Sequence, residues 1–337
     1  MTKFFLAVVF FTIVATSFLC SQAIQYDDKI IGRHYDEVIG VFVNSDDTKV
    51  VTSSLDETCK IWELPSGKEL FTLKGHLGAV YNVSFSGNDK YIASGSADRT
   101  VKIWDASNGD LLYTLKGHTG EVIGVFFSQD EASKFVASTS FDGTIKLWDV
   151  SLQSEIKTLR GHVGQTNNVA YSYDSKYIAS CGDDKKIFIW STDLTTKTPI
   201  TIIEGHDAPV LSVLFSYDNT TLISSDQSGV LKIWSMKDWK LLRTIKAHTE
   251  LIQDFSFTED DNTIVTVSLD KFVKLWDAKT GDELYSKNID VEGWSVDLTS
   301  KAEILIIGCA DGNVMKLDLV QSNKSKKNLK TSKKGKK

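Results

Sequence analysis

The sequence predicts an all-β fold, a seven-bladed propeller whose last blade is closed by the N-terminal strand. Three observations carry this expectation. The six histidines, His34, His76, His118, His162, His206 and His248, recur every 42 to 44 residues. Six of the eight tryptophans keep the same beat, at Trp62, Trp104, Trp148, Trp190, Trp234 and Trp276. Between these markers lie short β-branched and aromatic runs, punctuated by Gly, Asn and Asp. Such runs are strand and hairpin signals, and a period in this range is that of propeller blades of four strands each.

The first element is not part of that fold. One lysine, Lys3, precedes an apolar run from Phe4 to Leu19, interrupted only by Thr12, Thr16 and Ser17. As a helix the run reaches about 24 Å, short of a hydrocarbon core of about 30 Å. A basic residue, a short apolar stretch and then Ser21-Gln22-Ala23 read as a secretory signal peptide over residues 1–23, with an uncleaved membrane anchor as the alternative.

One repeat shows how the pattern makes strands. Val80, Val83 and Phe85 form a first strand, and Gly87-Asn88-Asp89 turns into a second, Tyr91 to Ser94. Ala97-Asp98-Arg99 turns into Val101, Ile103 and Trp104, and Asn108-Gly109 leads to Leu111 to Leu115. A seventh, worn copy follows the sixth. Counting 42 onward from His248 reaches Asp290, Ile304 to Cys309 give a second strand, and Asp311 to Asp318 a third, with Leu317 in place of tryptophan. No fourth strand follows. Asp27 to Ile31, before His34, aligns with Glu69 to Leu73 before His76 and supplies it, so the ring closes without a long unpaired edge. The propeller is therefore expected over 24–320.

From residue 321 to 337 the chain is mostly lysine, serine and asparagine, with a single leucine. It cannot bury a core and reads as a disordered lysine-rich tail. Eight lysines stand between residues 324 and 337; without them the chain keeps 30 basic against 44 acidic side chains. An acidic body repels nucleic acid, so only the tail is suited to acidic partners, whether nucleic acid or anionic lipid. Cysteines 20, 59, 181 and 309 show no metal-ligand spacing. No metal or cofactor motif is present, and none is expected.

These markers resemble the WD40-repeat family over about residues 25 to 320. Gly-His stands at 75–76, 117–118, 161–162 and 205–206, and Trp-Asp at 104–105, 148–149 and 276–277. The resemblance implies hydrogen-bonded tetrads of His, Ser/Thr, Asp and Trp. The matching sets are His34, Ser54, Asp56 and Trp62; His76, Ser96, Asp98 and Trp104; His118, Ser140, Asp142 and Trp148; and His248, Ser268, Asp270 and Trp276. Three blades depart. The fourth has Gly182 at the hydroxyl position, the fifth has Asp226 and Ser228 exchanged, and the seventh keeps only Asp311, with Cys309 at the hydroxyl site. Blades four, five and seven are thus expected to be the least rigid. Histidine beside serine and aspartate invites a catalytic reading, but a nucleophile site occurs once in a cleft, whereas this set recurs and consumes every histidine.

The resemblance also implies a monomeric, non-enzymatic scaffold that binds proteins or peptides on its narrow face, with no small-molecule substrate. Two positions per repeat face that rim. Five residues after each histidine stand Ile39, Tyr81, Ile123, Asn167, Leu211 and Gln253, with Ser295 as the seventh. Before the turn aspartates stand Leu55, Ala97, Phe141, Asp183, Leu269 and Ala310. Ile39, Leu55, Tyr81, Ile123, Phe141 and Leu269 form an apolar arc where polar residues are the default, and exposed apolar surface marks interfaces. The competing reading is that several of them pack between blades. The leader points to the secretory pathway, the family to cytoplasm or nucleus. Glycosylation at the Asn219-Thr220-Thr221 sequon, set in a hairpin loop, separates the two; Asn82 lies in a strand and Asn323 in the tail.

Overall fold

A computed structural model describes residues 28–64, 66–130, 132–300 and 303–319. The expected leader (1–23) and lysine tail (321–337) lie outside them. Among the described residues, twenty-eight strands form seven antiparallel four-stranded sheets. Their innermost strands are β2 (Val38–Val43), β6 (Val80–Phe85), β10 (Val122–Phe127), β14 (Thr166–Tyr171), β18 (Val210–Phe215), β22 (Asp254–Phe257) and β26 (Gly293–Leu298). Among the described residues, no helix is long and apolar enough to cross a membrane.

The last sheet joins both ends of the fold. Its order is β1 (Asp28–Arg33), β28 (Asn313–Asp318), β27 (Ile304–Cys309) and β26, with Asp28 opposite Leu317 and Arg33 opposite Asn313. The register of β1 shifts between Ile30 and Gly32. Gly32 there lies under the Trp62 ring, where an added Cβ would sit 2.2 Å from a ring carbon. Only glycine lets the closing strand pass beneath blade one.

The cores lie between blades rather than within them. Val51, Cys59, Ile61 and Leu73 of blade one pack with Val80, Val83, Phe85 and Trp104 of blade two. The closing seam is built alike: Ile31, Ile306 and Val314 meet Val38, Val41, Val50 and Trp62. Each blade therefore depends on its neighbour for burial, as in other repeat architectures. Cys59, Cys181 and Cys309 are free thiols in these cores, and burial raises the pKa of each.

A second set of contacts links blades at the turns between first and second strands. Asp47, Asp89, Asn219 and Asp261 have positive φ and extend their side chains to the preceding blade. Asp47 accepts from Ser300 N–H (2.9 Å), Asp89 from the Ser45 hydroxyl (2.6 Å), and Asp261 from Tyr217 N–H (2.9 Å). Asn219, the expected glycan acceptor, is half-buried in this chain of contacts: its side-chain carbonyl accepts from Asp174 N–H at 3.1 Å. Asn and Asp tolerate the left-handed conformation, which explains their use here. Blades three and four carry Ser133 and Ser175 instead, and the buried Ser175 hydroxyl has no partner.

Candidate protein-interaction face

Six blades carry a complete tetrad. In each, histidine Nδ1–H donates to an aspartate at 2.6–3.0 Å. A hydroxyl donates to Nε2 at 2.7–2.9 Å and accepts the indole N–H at 2.8–3.0 Å. The hydroxyls are those of Thr52, Ser94, Ser138, Ser180, Ser224 and Thr266, two residues earlier than expected. Ser54, Ser96, Ser140 and Ser268 are not tetrad members. They brace the turn instead, each accepting the N–H of the residue two ahead. A strand repeats every two residues, so both hydroxyls share a face, and only the earlier one reaches the indole.

This register also corrects the expected departures. Blade four is complete through Ser180, so Gly182 removes only the turn brace. Blade five is complete too: Asp226 binds His206 at 2.6 Å, and Ser228 donates to the same carboxylate. The reason to expect weakness in blades four and five is gone. Blade seven has buried Ile289, Ile307 and Leu317 at the histidine, hydroxyl and tryptophan positions, an apolar replacement that leaves no buried polar group unpaired there. Its repeat is thus one residue shorter than the count of 42 to Asp290.

Burial alone would raise the turn aspartates, but the hydrogen bonds from histidine, Thr or Ser, and backbone N–H outweigh it, so Asp56, Asp98, Asp142 and Asp226 are held below the ordinary carboxylate range. His76 and His248 are lowered, because burial outweighs the attraction of Asp98 and Asp270. Fully partnered histidines hold the loops of one end of the ring. Tyr35, Leu77, Thr119, Val163 and Thr249 each donate their backbone N–H to the turn aspartate, which leaves their side chains pointing outward.

The same end of the ring carries the apolar arc. In six innermost strands the register shifts just after the first residue, making Ile39, Tyr81, Ile123, Asn167, Leu211 and Trp294 bulge residues. A bulge re-aims one side chain out of the pleat. The seventh position is therefore Trp294, whereas Ser295 is buried in the channel wall. Ile39, Leu55, Tyr81, Ile123 and Leu269 are half-buried, and Phe141 is 40% exposed. Tyr81 and Phe141 approach at 6.4 Å between ring centroids, and the Tyr81 hydroxyl donates to Glu121 at 2.7 Å. Leu269 belongs to blade six, with Trp294 of blade seven between it and Ile39. Sequence reasoning missed Tyr35 and Leu77, 98% and 86% exposed beside the arc, although their place after histidine was a usable signal.

The channel behind this face is lined by the innermost strands, among them Phe42, Phe126, Leu214, Asp254 and Asp297. Ser295 accepts from Val41 N–H and donates to Asp254 (2.5 Å); Asp297 accepts from Val43 N–H and from Ser256. Blades six, seven and one are thus stitched across the closing seam. Burial raises Asp254 to about 7, helped by Asp297, and raises Asp297 to about 6. An acid raised on folding contributes stability fully below its unfolded pKa and loses it as pH rises through the folded value. For this pair the loss falls between about pH 4 and 7. In the Asp254→Asn variant, the amide oxygen can still accept from the Ser295 hydroxyl. Urea unfolding of this variant should show a smaller decline in stability from pH 5 to 8 than wild type, and an unchanged pH profile would refute the assignment.

Six stretches of the chain, 28–63, 67–105, 109–149, 153–191, 197–235 and 239–277, match the WD domain, G-beta repeat family, and together they span well over half of it. The chain belongs to the WD40-repeat family. Among curated WD40 relatives, it is 38% identical over 56 residues to human Dynein assembly factor with WD repeat domains 1, covering 17% of this chain and 14% of that protein. The Xenopus laevis counterpart is 38% identical over 55 residues, 16% of this chain and 13% of the relative. WD repeat-containing protein 89 homolog of Dictyostelium discoideum is 37% identical over 68 residues, 20% and 18% of the two chains. This WD40 chain spans less than a fifth of these relatives' length, so the likeness carries the repeat and not the role. WD40 propellers generally mediate protein interactions rather than catalysis.

Proposed function

We propose that this chain is a non-enzymatic scaffold whose contact surface is the face bearing the bulge residues, centred on blades seven and one to three. The observation that supports it best is the bulge itself. The same backbone irregularity in neighbouring blades turns Trp294, Ile39, Tyr81 and Ile123 toward one rim, beside the exposed Phe141. Aromatic anchors dominate interface energies. The reading takes the folded ring as a monomer that needs no small-molecule substrate. The apolar leader supports entry into the secretory pathway. The alternative is an intracellular or membrane-anchored subunit of a multiprotein complex whose lysine-rich tail meets nucleic acid or anionic lipid.

Affinity capture of native partners with wild type and a Tyr81→Ala/Phe141→Ala variant tests the surface. At least one partner should be lost from the variant while its melting temperature stays within a few degrees. Equal recovery of every partner would sink the proposal. N-terminal sequencing of the native protein decides the compartment: a mature chain starting near Ile24 supports the secretory reading, and an intact Met1 or Thr2 refutes cleavage.

A further inference from the structure

The repeats supply an internal control that singles out one lysine. In blade one Lys60 in the third strand pairs with Glu69 in the fourth at 2.9 Å; in blade three Lys146 pairs with Glu155 at 2.6 Å; in blade six Lys274 pairs with Glu283 at 3.2 Å. In each case the glutamate lies directly opposite the tetrad tryptophan, just past a shift of register. Blade two keeps the lysine, Lys102, and the register, with Leu111 opposite Trp104. Leucine cannot supply the carboxylate. Blade five makes the same replacement with Leu241, but its Lys232 is only half-buried.

Lys102 is 7% exposed, and its ammonium has one hydrogen bond, to Thr114 Oγ1 at 2.9 Å. An ammonium offers three donors, so two remain to be met. Burial first, and then the nearby Lys116, lower its pKa, against the attraction of Asp98. Lys102 opens into a groove of about 480 Å³ at the outer edge of the proposed contact face, lined also by Arg99, Lys116, Leu77, Thr100 and Gly117. Asp98 is the one carboxylate in that lining. Its oxygens are already taken by His76 (2.8 Å), Thr100 Oγ1 (2.6 Å) and Leu77 N–H (3.1 Å).

We propose that this groove is a binding site for an oxyanion group, a carboxylate or a phosphate, which takes the place in blade two that glutamate fills in blades one, three and six. Lys102 supplies donors at the base, and Arg99 and Lys116 supply charge at the rim. Leu77, projecting beside the groove, adds an apolar contact for whatever carries the anion. The site does not depend on the apolar arc, since none of its residues belongs to that set.

The test is a repair. Leu111→Glu supplies the missing carboxylate within the chain, as Glu69 does in blade one, and should occupy Lys102 without disturbing the fold. Wild type and Leu111→Glu are titrated with inorganic phosphate and, separately, with acetate, using chloride to hold ionic strength constant, and followed by calorimetry and melting temperature. Wild type should show a saturable response that falls about tenfold or more in Leu111→Glu, the size expected when a charge-assisted hydrogen bond is lost. A Lys116→Gln variant should weaken the response less. Response to phosphate alone assigns the phosphate source, response to acetate alone a side-chain or terminal carboxylate, and response to both a general oxyanion site. Identical behaviour of wild type and Leu111→Glu toward both anions would overturn the proposal.

Discussion

Replacing Ile31 with aspartate should cost at least about 3 kcal/mol, the order expected for an unpaired charge placed in a core. Ile31 is 8% exposed and packs with Val314 of its own blade and with Val38 and Trp62 of the next. Gly32→Val should act similarly by a different route, since its side chain would enter the volume of the Trp62 ring. Both variants leave the outer edge of β28 unpaired while β27 still holds its other edge, and an unpaired strand edge is a template for association. Urea unfolding and size-exclusion chromatography should therefore show a lower midpoint and self-association together. A midpoint within experimental error of wild type for both variants would mean that the N-terminal strand does not hold the ring closed. Pairing of Asp28 with Leu317 spans almost the whole fold, and contacts of such separation form slowly.

The second large effect separates two serines in blade two. Ser94→Ala removes the hydroxyl shared by His76 and Trp104, leaving two buried polar groups without a partner. The expected loss is about 2–6 kcal/mol, because each of the two stranded groups costs about 1–3 kcal/mol. Ser96→Ala removes contacts with Gly78 C=O and Asp98 N–H in the turn, and should cost about 1 kcal/mol. Blade four is the natural precedent, since it carries Gly182 at the second position and still completes its tetrad. Equal destabilisation by the two substitutions, measured by equilibrium urea unfolding, would contradict the assignment.

The same pair shows what could be read from sequence. Histidine and tryptophan are rare enough for their spacing to announce the blades, and the N-terminal completion of the seventh follows from the missing strand. The tetrad hydroxyl was not legible. Ser94 and Ser96 share one face of a strand, with Gly95 between them on the other, and nothing in the composition tells which of them reaches the indole. Asp226 misled for the same reason, standing one strand period early yet reaching His206 all the same. Trp294 was missed because blade seven has lost its histidine, so the count ran from the wrong residue. The turn contacts of Asp47, Asp89, Asn219 and Asp261, and the channel links of Asp254 and Asp297, join residues of different repeats, which periodicity within one chain does not pair.

The apolar arc was legible as a pattern, but its grouping depends on the bulges. They bring Tyr81 of blade two to Phe141 of blade three, and set Trp294 next to Ile39 in ring order. Sequence placed Leu269 in the same arc, whereas in the fold it stands one blade beyond Trp294.

Hydrogen–deuterium exchange on a complex of the full chain with a captured native partner tests the proposed contact face most directly. Added protection is expected in 35–39, 77–81, 119–123, 141 and 292–294, with the turns around Asp47, Asp89, Asn219 and Asp261 unchanged. Protection confined to those turns, or to the outermost strands, would contradict it.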